Sequence, residues 1–222
     1  MFIESFINIG EKMFTNEREL VDTLVMYLKE KYKIQYVARE LQSGNNIADV
    51  VFSESIDRNY ILFDNYINSY YYVKNIYNKH KIRLNNLEIC NPKNEKEFKQ
   101  FLKVLEKQGY IKVIDDKIEV IKKINLVTKN LVAVEAKLFD WKSGIKQAIR
   151  YKEFSNKVYV AIEETQLEKV DRDTFRRENI GLMTVSKSGV KEIIRPKKEK
   201  VEKLDIQYYM TDKFLNKLCL KN

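Results

Sequence analysis

Leu131-Val132-Ala133-Val134-Glu135-Ala136-Lys137 is an apolar run that ends in a carboxylate and an ammonium. It constrains the fold more than any other segment of the chain. Side chains alternate faces along a strand. Val132, Val134 and Ala136 therefore enter one layer, while Ala133, Glu135 and Lys137 share the opposite face. The run reads as a core strand with apolar material on both sides. The charges at its end are either a simple surface pair or a functional pair, and Glu-x-Lys alone does not separate the two.

The segments around this strand follow an α/β pattern. Residues 16–32 read as a helix: Leu20, Val21, Leu24 and Leu28 recur at helical spacing, Thr15 or Asn16 is the cap, and Glu17 and Glu19 lie in the first turn. Strands are expected at 35–41 and 47–53, joined by a loop around Gly44. A Tyr-rich helical stretch is expected over 60–80, with Tyr70, Tyr71, Tyr72 and Tyr77 either packing or stacking on bases and His80 structural. A second helix is predicted at 94–108, ended by Gly109, and a hairpin at 110–121 turns at Asp115-Asp116. Beyond the 131–137 strand, Ser143 is expected to cap a helix through 154. A strand at 157–163, a polar helix at 166–178, and strands at 180–186 and 190–194 follow. The segment after Pro196 alternates charge and is expected to be a helix or partly disordered. The order predicts an α/β fold with a mixed sheet, interrupted once. The expected organisation is core at 1–55 and 126–196, an insertion at 56–125, and a basic C-terminal tail at 197–222.

Composition narrows the function. A single histidine, His80, and two distant cysteines, Cys90 and Cys219, exclude a Cys/His zinc cluster and a disulfide framework, which fits a reducing cytosol. Residues 1–12 carry Glu4 and Glu11 and no long apolar run, so no signal peptide is expected. No stretch approaches the ~18 apolar residues of a membrane span. The expectation is a cytoplasmic protein with no membrane partner. The chain holds 41 Lys and Arg against 32 Asp and Glu, a net charge of +9. All of the excess falls in two segments: 79–125, with twelve basic and seven acidic residues, and 191–222, with nine and five. Such charge suits a polyanionic partner, because Lys and Arg contacts release phosphate counterions. It also suits a merely solvated Lys-rich surface.

Asp49 is a second lone carboxylate entering an apolar strand, in Ile47-Ala48-Asp49-Val50-Val51-Phe52. Asp49 on one strand and Glu135 on a neighbour can converge on Mg²⁺, which takes oxygen ligands and keeps several waters. Lys137 would then orient the attacking water or steady developing charge. Glu17 tops the buried stripe of the first helix. It is either a first-turn charge favoured by the helix dipole or a contributor at the metal, whereas Glu19 faces water.

Taken together, Glu17-Arg18-Glu19-Leu20-Val21, Ala38-Arg39-Glu40, Ser43-Gly44, Asp49 and Glu135-Ala136-Lys137 resemble the PD-(D/E)XK nuclease superfamily. The opening is similar to that of archaeal Holliday-junction resolvases. Gln147-Ala148-Ile149-Arg150-Tyr151 is similar to the Gln-x-x-x-Tyr helix motif found in several branches of that superfamily. The resemblance covers roughly 16–52 and 127–190. It implies a restriction-endonuclease-like core, a mixed central sheet flanked by helices, and Mg²⁺-dependent phosphodiester hydrolysis, with Mn²⁺ as the substitute ion. Carried over, Asp49, Glu135 and Ala136 are metal ligands, Lys137 is the catalytic lysine, and Glu17 and Gln147 are auxiliary. Gln147 and Tyr151 share a helix face and either address the cleft, with Tyr151 at the nucleic acid, or form an exposed polar pair. Two departures stand out. Ala48 occupies the place of the motif's proline, and 86 residues separate Asp49 from Glu135 where compact members use a short hairpin.

That gap holds the basic insertion, whose order of helix, helix, Gly109 and hairpin resembles a winged helix-turn-helix. Lys96, Lys99, Lys103 and Lys107 form one basic stripe on its second helix, suited to phosphate contact more than base reading. The alternative is a solvated outer face over Phe98, Phe101, Leu102 and Leu105. The expected activity is a metal-dependent DNA endonuclease. The rivals are a non-catalytic DNA-binding protein on the same scaffold and a nuclease acting on RNA. A homodimer is left open.

Overall fold

A computed structural model describes residues 14–56, 81–83, 95–115, 117–122, 128 and 130–219. The expected helix over 60–80, with its tyrosines and His80, lies outside the described residues, as does Cys90. Helix α1 spans Glu17–Glu30, followed by strands β1 (Tyr36–Ser43), β2 (Asn46–Ser53) and β3 (Lys81–Arg83). Helix α2 (Glu95–Lys107) precedes β4 (Ile111–Ile114), β5 (Lys117–Val120) and β6 (Leu131–Lys137). Then come α3 (Trp141–Tyr151), β7 (Lys157–Glu163), a 3₁₀ turn (Glu164–Lys169) and α4 (Arg172–Arg177). The chain closes with β8 (Gly181–Ser186), β9 (Gly189–Ile194) and α5 (Leu204–Cys219).

Six strands form a mixed sheet in the order β1-β2-β6-β7-β8-β9. The β6–β7 and β7–β8 pairs are parallel and the rest antiparallel. The 131–137 run is thus a central strand, and its alternation sets the layers. Val132, Val134 and Ala136 pack with Leu20, Leu24 and Leu28 of α1. Leu131 and Ala133 pack with Ile145, Ala148 and Tyr151 of α3 and with Met210 and Phe214 of α5. The result is an α/β fold whose sheet is flanked by helices on both faces. A second, three-stranded antiparallel sheet, β3-β5-β4, accompanies α2, which packs Phe98, Phe101 and Leu105 inward.

Two local expectations are corrected, and a third is narrowed. Asp140, not Ser143, caps α3: its carboxylate accepts the Ser143 N–H at 3.0 Å. The polar helix expected at 166–178 is split, because Val170 is extended and Asp171 caps a new helix by accepting the Asp173 N–H. Of the helix or partial disorder expected for the basic tail, the structure has the helix, α5, whose Tyr208, Met210, Thr211 and Phe214 are buried and which lies against β1. Charge alternation masked that apolar face. Among the described residues, no helix is long and apolar enough to cross a membrane.

Candidate active site

The cleft opens where β2 leaves β6. Their ladder runs from Ser53·Leu131 to Val50·Val134 and stops. In an antiparallel ladder the next rungs would pair Asp49 with Glu135 and Ala48 with Ala136. Instead the Asp49 carboxylate accepts the Ala136 N–H at 2.8 Å. A side chain therefore replaces a backbone partner at the point of separation. A residue's N–H and C=O leave a strand toward the same neighbour, so the Ala136 carbonyl also faces this gap.

The other edge of β2 is disturbed at the same place. The β1–β2 register pairs every residue from Tyr36·Ser53 to Ser43·Asn46 except Glu40 and Asp49. Glu40 has φ +50°, a left-handed conformation costly for a residue with a Cβ. The sheet's alternation breaks there: Ala38 and Leu41 lie in one core cluster although they are three residues apart, as do Ala48 and Val51. The Glu40 carbonyl is taken by the Lys217 ammonium at 2.5 Å and that of Gln42 by Lys213 at 3.2 Å. Helix α5 thus secures the irregular strand beside Asp49.

Glu135, only 2 % exposed, is held from two sides. Lys137 Nζ lies 2.9 Å from its Oε1 and the Tyr151 hydroxyl 2.5 Å from its Oε2. Tyr151 also lies 2.6 Å from the Ile47 carbonyl, so its one proton faces two acceptors. Lys137 Nζ is 3.8 Å from Glu17 Oε2, which brings the first-turn carboxylate of α1 to the same ammonium. Gly144 admits the lysine stem: a Cβ there would meet Val160 Cγ1 at 2.9 Å and Lys137 Cγ at 3.1 Å. A cleft of about 550 Å³ is lined by Glu40, Asn46, Asp49, Glu135, Lys137, Gln147 and Arg150, among others. In it the Gln147 Oε1 is buried without a hydrogen-bond partner among the described residues.

Electrostatics follow from this packing. Burial, and then the nearby Glu135 charge, push the Asp49 carboxyl up to about 6, against the opposing Ala136 hydrogen bond and Lys137 charge. For Lys137, burial favours the neutral amine, but its hydrogen bond and charge pairing with Glu135, aided by Glu17 and Asp49, raise its pKa overall. Lys137 is therefore an ammonium at neutral pH, suited to orienting or neutralising and not to accepting a proton. Burial, and then the Glu135 hydrogen bond, raise the Tyr151 phenol, which stays protonated.

The structure brings Asp49, Glu135, Ala136, Lys137, Glu17 and Gln147 to one end of the sheet. Tyr151 is a correction. At 1 % exposed, with its hydroxyl on Glu135, it is buried beneath the site and offers no surface to a nucleic acid. The signal was present in the sequence, because Tyr151 shares a face with Gly144 and Ala148, and a buried phenol needs an acceptor. Glu40, Asn46 and Arg150, given no role from sequence, also line the cleft, with Arg150 donating to Asn46 Oδ1 at 2.6 Å. Lys96, Lys99, Lys103 and Lys107 are all exposed on α2. Glu19, expected in water, accepts from Thr15 and pairs with Lys187.

A metal bound here would be held by two carboxylates and a carbonyl. Among the described residues, no group of three or more His, Cys, Asp or Glu side chains is placed to hold one. The oxygen set does fit a hard divalent cation. Asp49 uses only Oδ2 toward Ala136, which leaves Oδ1 for a cation, and the Ala136 carbonyl faces the gap.

No family model matches the chain, and no curated protein matches it. A solved structure similar to it is the SPO1766 protein of Silicibacter pomeroyi, a protein of unknown function. The two share 9 % identity over 94 % of this chain and 89 % of that one, with a TM-score of 0.48.

Proposed function

We propose that the protein is a divalent-metal-dependent nuclease of PD-(D/E)XK type that hydrolyses DNA phosphodiester bonds. The observation that carries the proposal is the convergence of Asp49, Glu135 and Lys137 at the point where β2 and β6 separate. Asp49, Glu135 and the Ala136 carbonyl would hold Mg²⁺ or Mn²⁺. When bound, the ion supplies charge to the scissile phosphate and acidifies a water.

The remaining roles belong to the chain. Lys137, fixed by Glu135 and by the space at Gly144, presents an ammonium to the attacking water or the phosphate oxygens. Tyr151 holds the Glu135 carboxylate in one orientation, as outer hydrogen bonds do for ligating groups. The unpartnered Gln147 Oε1 is available to accept from a water in the cleft. Glu17 lends charge to Lys137 from α1. The α2 helix with its adjoining hairpin and third strand is the proposed winged-helix module, and Lys96, Lys99, Lys103 and Lys107 are its phosphate contacts.

Incubation of supercoiled plasmid with Mg²⁺ or Mn²⁺ tests the proposal. Cleavage that chelator abolishes and that Glu135→Ala removes is the expected result. Tight DNA binding with no cleavage under any divalent ion would favour a non-catalytic scaffold, and cleavage confined to RNA would change the substrate.

A further inference from the structure

Helix α3 carries a charged feature that the metal chemistry does not use. Lys142, Lys146 and Arg150 recur every fourth residue along it, and all three are exposed. Four residues advance a helix by about 6 Å and turn it about 40° past a full circle, so the three form one stripe roughly 12 Å long that drifts around the helix. Gly144, Ile145, Ala148 and Tyr151, all buried, fix the opposite face. Arg150 lines the metal cleft beside Gln147, so the stripe meets the cleft at its C-terminal end.

The charge of this stripe is not cancelled locally. Among the described residues, none of the three forms an ion pair with a carboxylate. The acids nearest in sequence are engaged elsewhere: the Asp140 carboxylate caps α3, and Glu153 pairs with Lys203 at 3.0 Å. Glu40 lines the same cleft as Arg150 but makes no ion pair with it. Arg150 donates instead to the neutral amide of Asn46, and the Lys142 ammonium lies 5.5 Å from the Trp141 ring centroid. Both contacts hold a cation in place without neutralising it.

Beside the stripe stands an aromatic ring with no packing role. Phe139 lies in the connection from β6 to α3, two residues beyond Lys137 and three before Lys142. At 60 % exposed it is the most exposed large apolar side chain among the described residues. A row of fixed cations with an open ring at one end matches a nucleic-acid strand, whose phosphates repeat at about the step of the stripe and whose bases offer flat faces. An acidic protein surface would satisfy the cations but not the ring. Inside a duplex each base face is covered by its neighbours, so a phenyl ring reaches one only where the strand is unpaired.

We infer that α3 holds an unpaired segment of the substrate, its phosphates along Lys142, Lys146 and Arg150 and one base stacked on Phe139. The preferred substrate is then DNA with a single-stranded arm beside the cleavage site. The inference deepens the nuclease reading and rests on it for the chemistry, but the binding it describes can be measured without any cleavage.

The test compares a blunt duplex with the same duplex carrying a single-stranded arm, each fluorescein-labelled, by anisotropy with the full chain in chelator. The arm should improve affinity about tenfold, the size of one stacked base. Phe139→Ala should remove most of that gain and leave blunt-duplex affinity within about twofold, whereas Phe139→Trp should keep it. The double substitution Lys142→Gln with Lys146→Gln should also remove gain from the arm, and should flatten the salt dependence of binding to the armed duplex by about 1.4, two single-strand phosphate contacts at ~0.7 each. Because all these residues are exposed, melting temperatures should hold. An arm that adds no affinity, a gain that survives Phe139→Ala, or a blunt duplex weakened as much as the armed one would each overturn the inference. Failure to cut either DNA with Mg²⁺ would instead remove the nuclease reading and leave this binding result standing.

Discussion

Replacing Asp49 by asparagine should stabilise the metal-free protein while removing its activity. In an unfolded chain this carboxyl ionises near the usual 3.8, and in the fold near 6. Raising it by that much costs the ionised fold about 3 kcal/mol at ~1.4 kcal/mol per tenfold change in proton affinity. Partial exposure and screening reduce this to about 2 kcal/mol. Below pH 3.8 both states are protonated and the penalty is absent. As pH rises toward 6 the unfolded chain loses its proton first, so stability falls across that window and then levels. Asparagine carries no charge, and its Oδ1 retains the acceptor role toward the Ala136 N–H.

The melting temperature of Asp49→Asn in chelator should therefore match wild type near pH 4 and exceed it by about 4–8 °C at pH 8, for a chain of this size. Added Mg²⁺ should raise wild type alone and narrow the gap, because only a charged Asp49 rewards the ion. A variant no more stable than wild type at pH 8, or a gap that does not change with pH, would refute the reasoning.

Glu135→Gln should act in the opposite direction and destabilise by about 2 kcal/mol in a urea melt, since it removes the nearest carboxylate from the Lys137 ammonium and leaves it only the more distant Glu17 and Asp49 charges. Tyr151→Phe should cost about 1–3 kcal/mol of stability and lower metal affinity or cleavage about 10–100-fold, with DNA affinity unchanged in a filter-binding assay. Charge reversal at Lys99 and Lys103 should weaken DNA binding and flatten its salt dependence by roughly two phosphate contacts, without altering the cleavage rate at saturating protein. Asp140→Ala should remove the α3 cap and lower stability by about 1 kcal/mol, measured by thermal melting.

The central strand was legible because its apolar run and its two charges specify position and face at once. The same alternation placed Glu135 and Lys137 together, and helical spacing placed Glu17 above them. Asp49 was identifiable as a lone carboxylate in an apolar strand. Its environment was not, because it depends on β2 leaving β6 and on the left-handed Glu40 opposite. Neither event has a local sequence signal, since glutamate is not a residue that announces positive φ. The role of Tyr151 was missed because a helix face was read for its polar ends and not for its burial. A helix after Pro196 was among the expectations, but the buried face of α5 was hidden for the converse reason. Its lysines suggested a solvated tail, whereas Tyr208, Met210 and Phe214 bury one face and Lys213 and Lys217 reach β1 carbonyls.

The most direct test of the central claim measures cleavage and binding in the same protein. Lys137→Met preserves the stem that packs at Gly144 and removes only the ammonium. With Mg²⁺ and saturating protein, the account predicts DNA affinity within a few-fold of wild type and a single-turnover cleavage rate lower by at least about 100-fold, the size expected when a preorganised electrostatic group is lost. Cleavage at the wild-type rate with Lys137→Met would contradict it, and would place the chemistry somewhere other than the gap between β2 and β6.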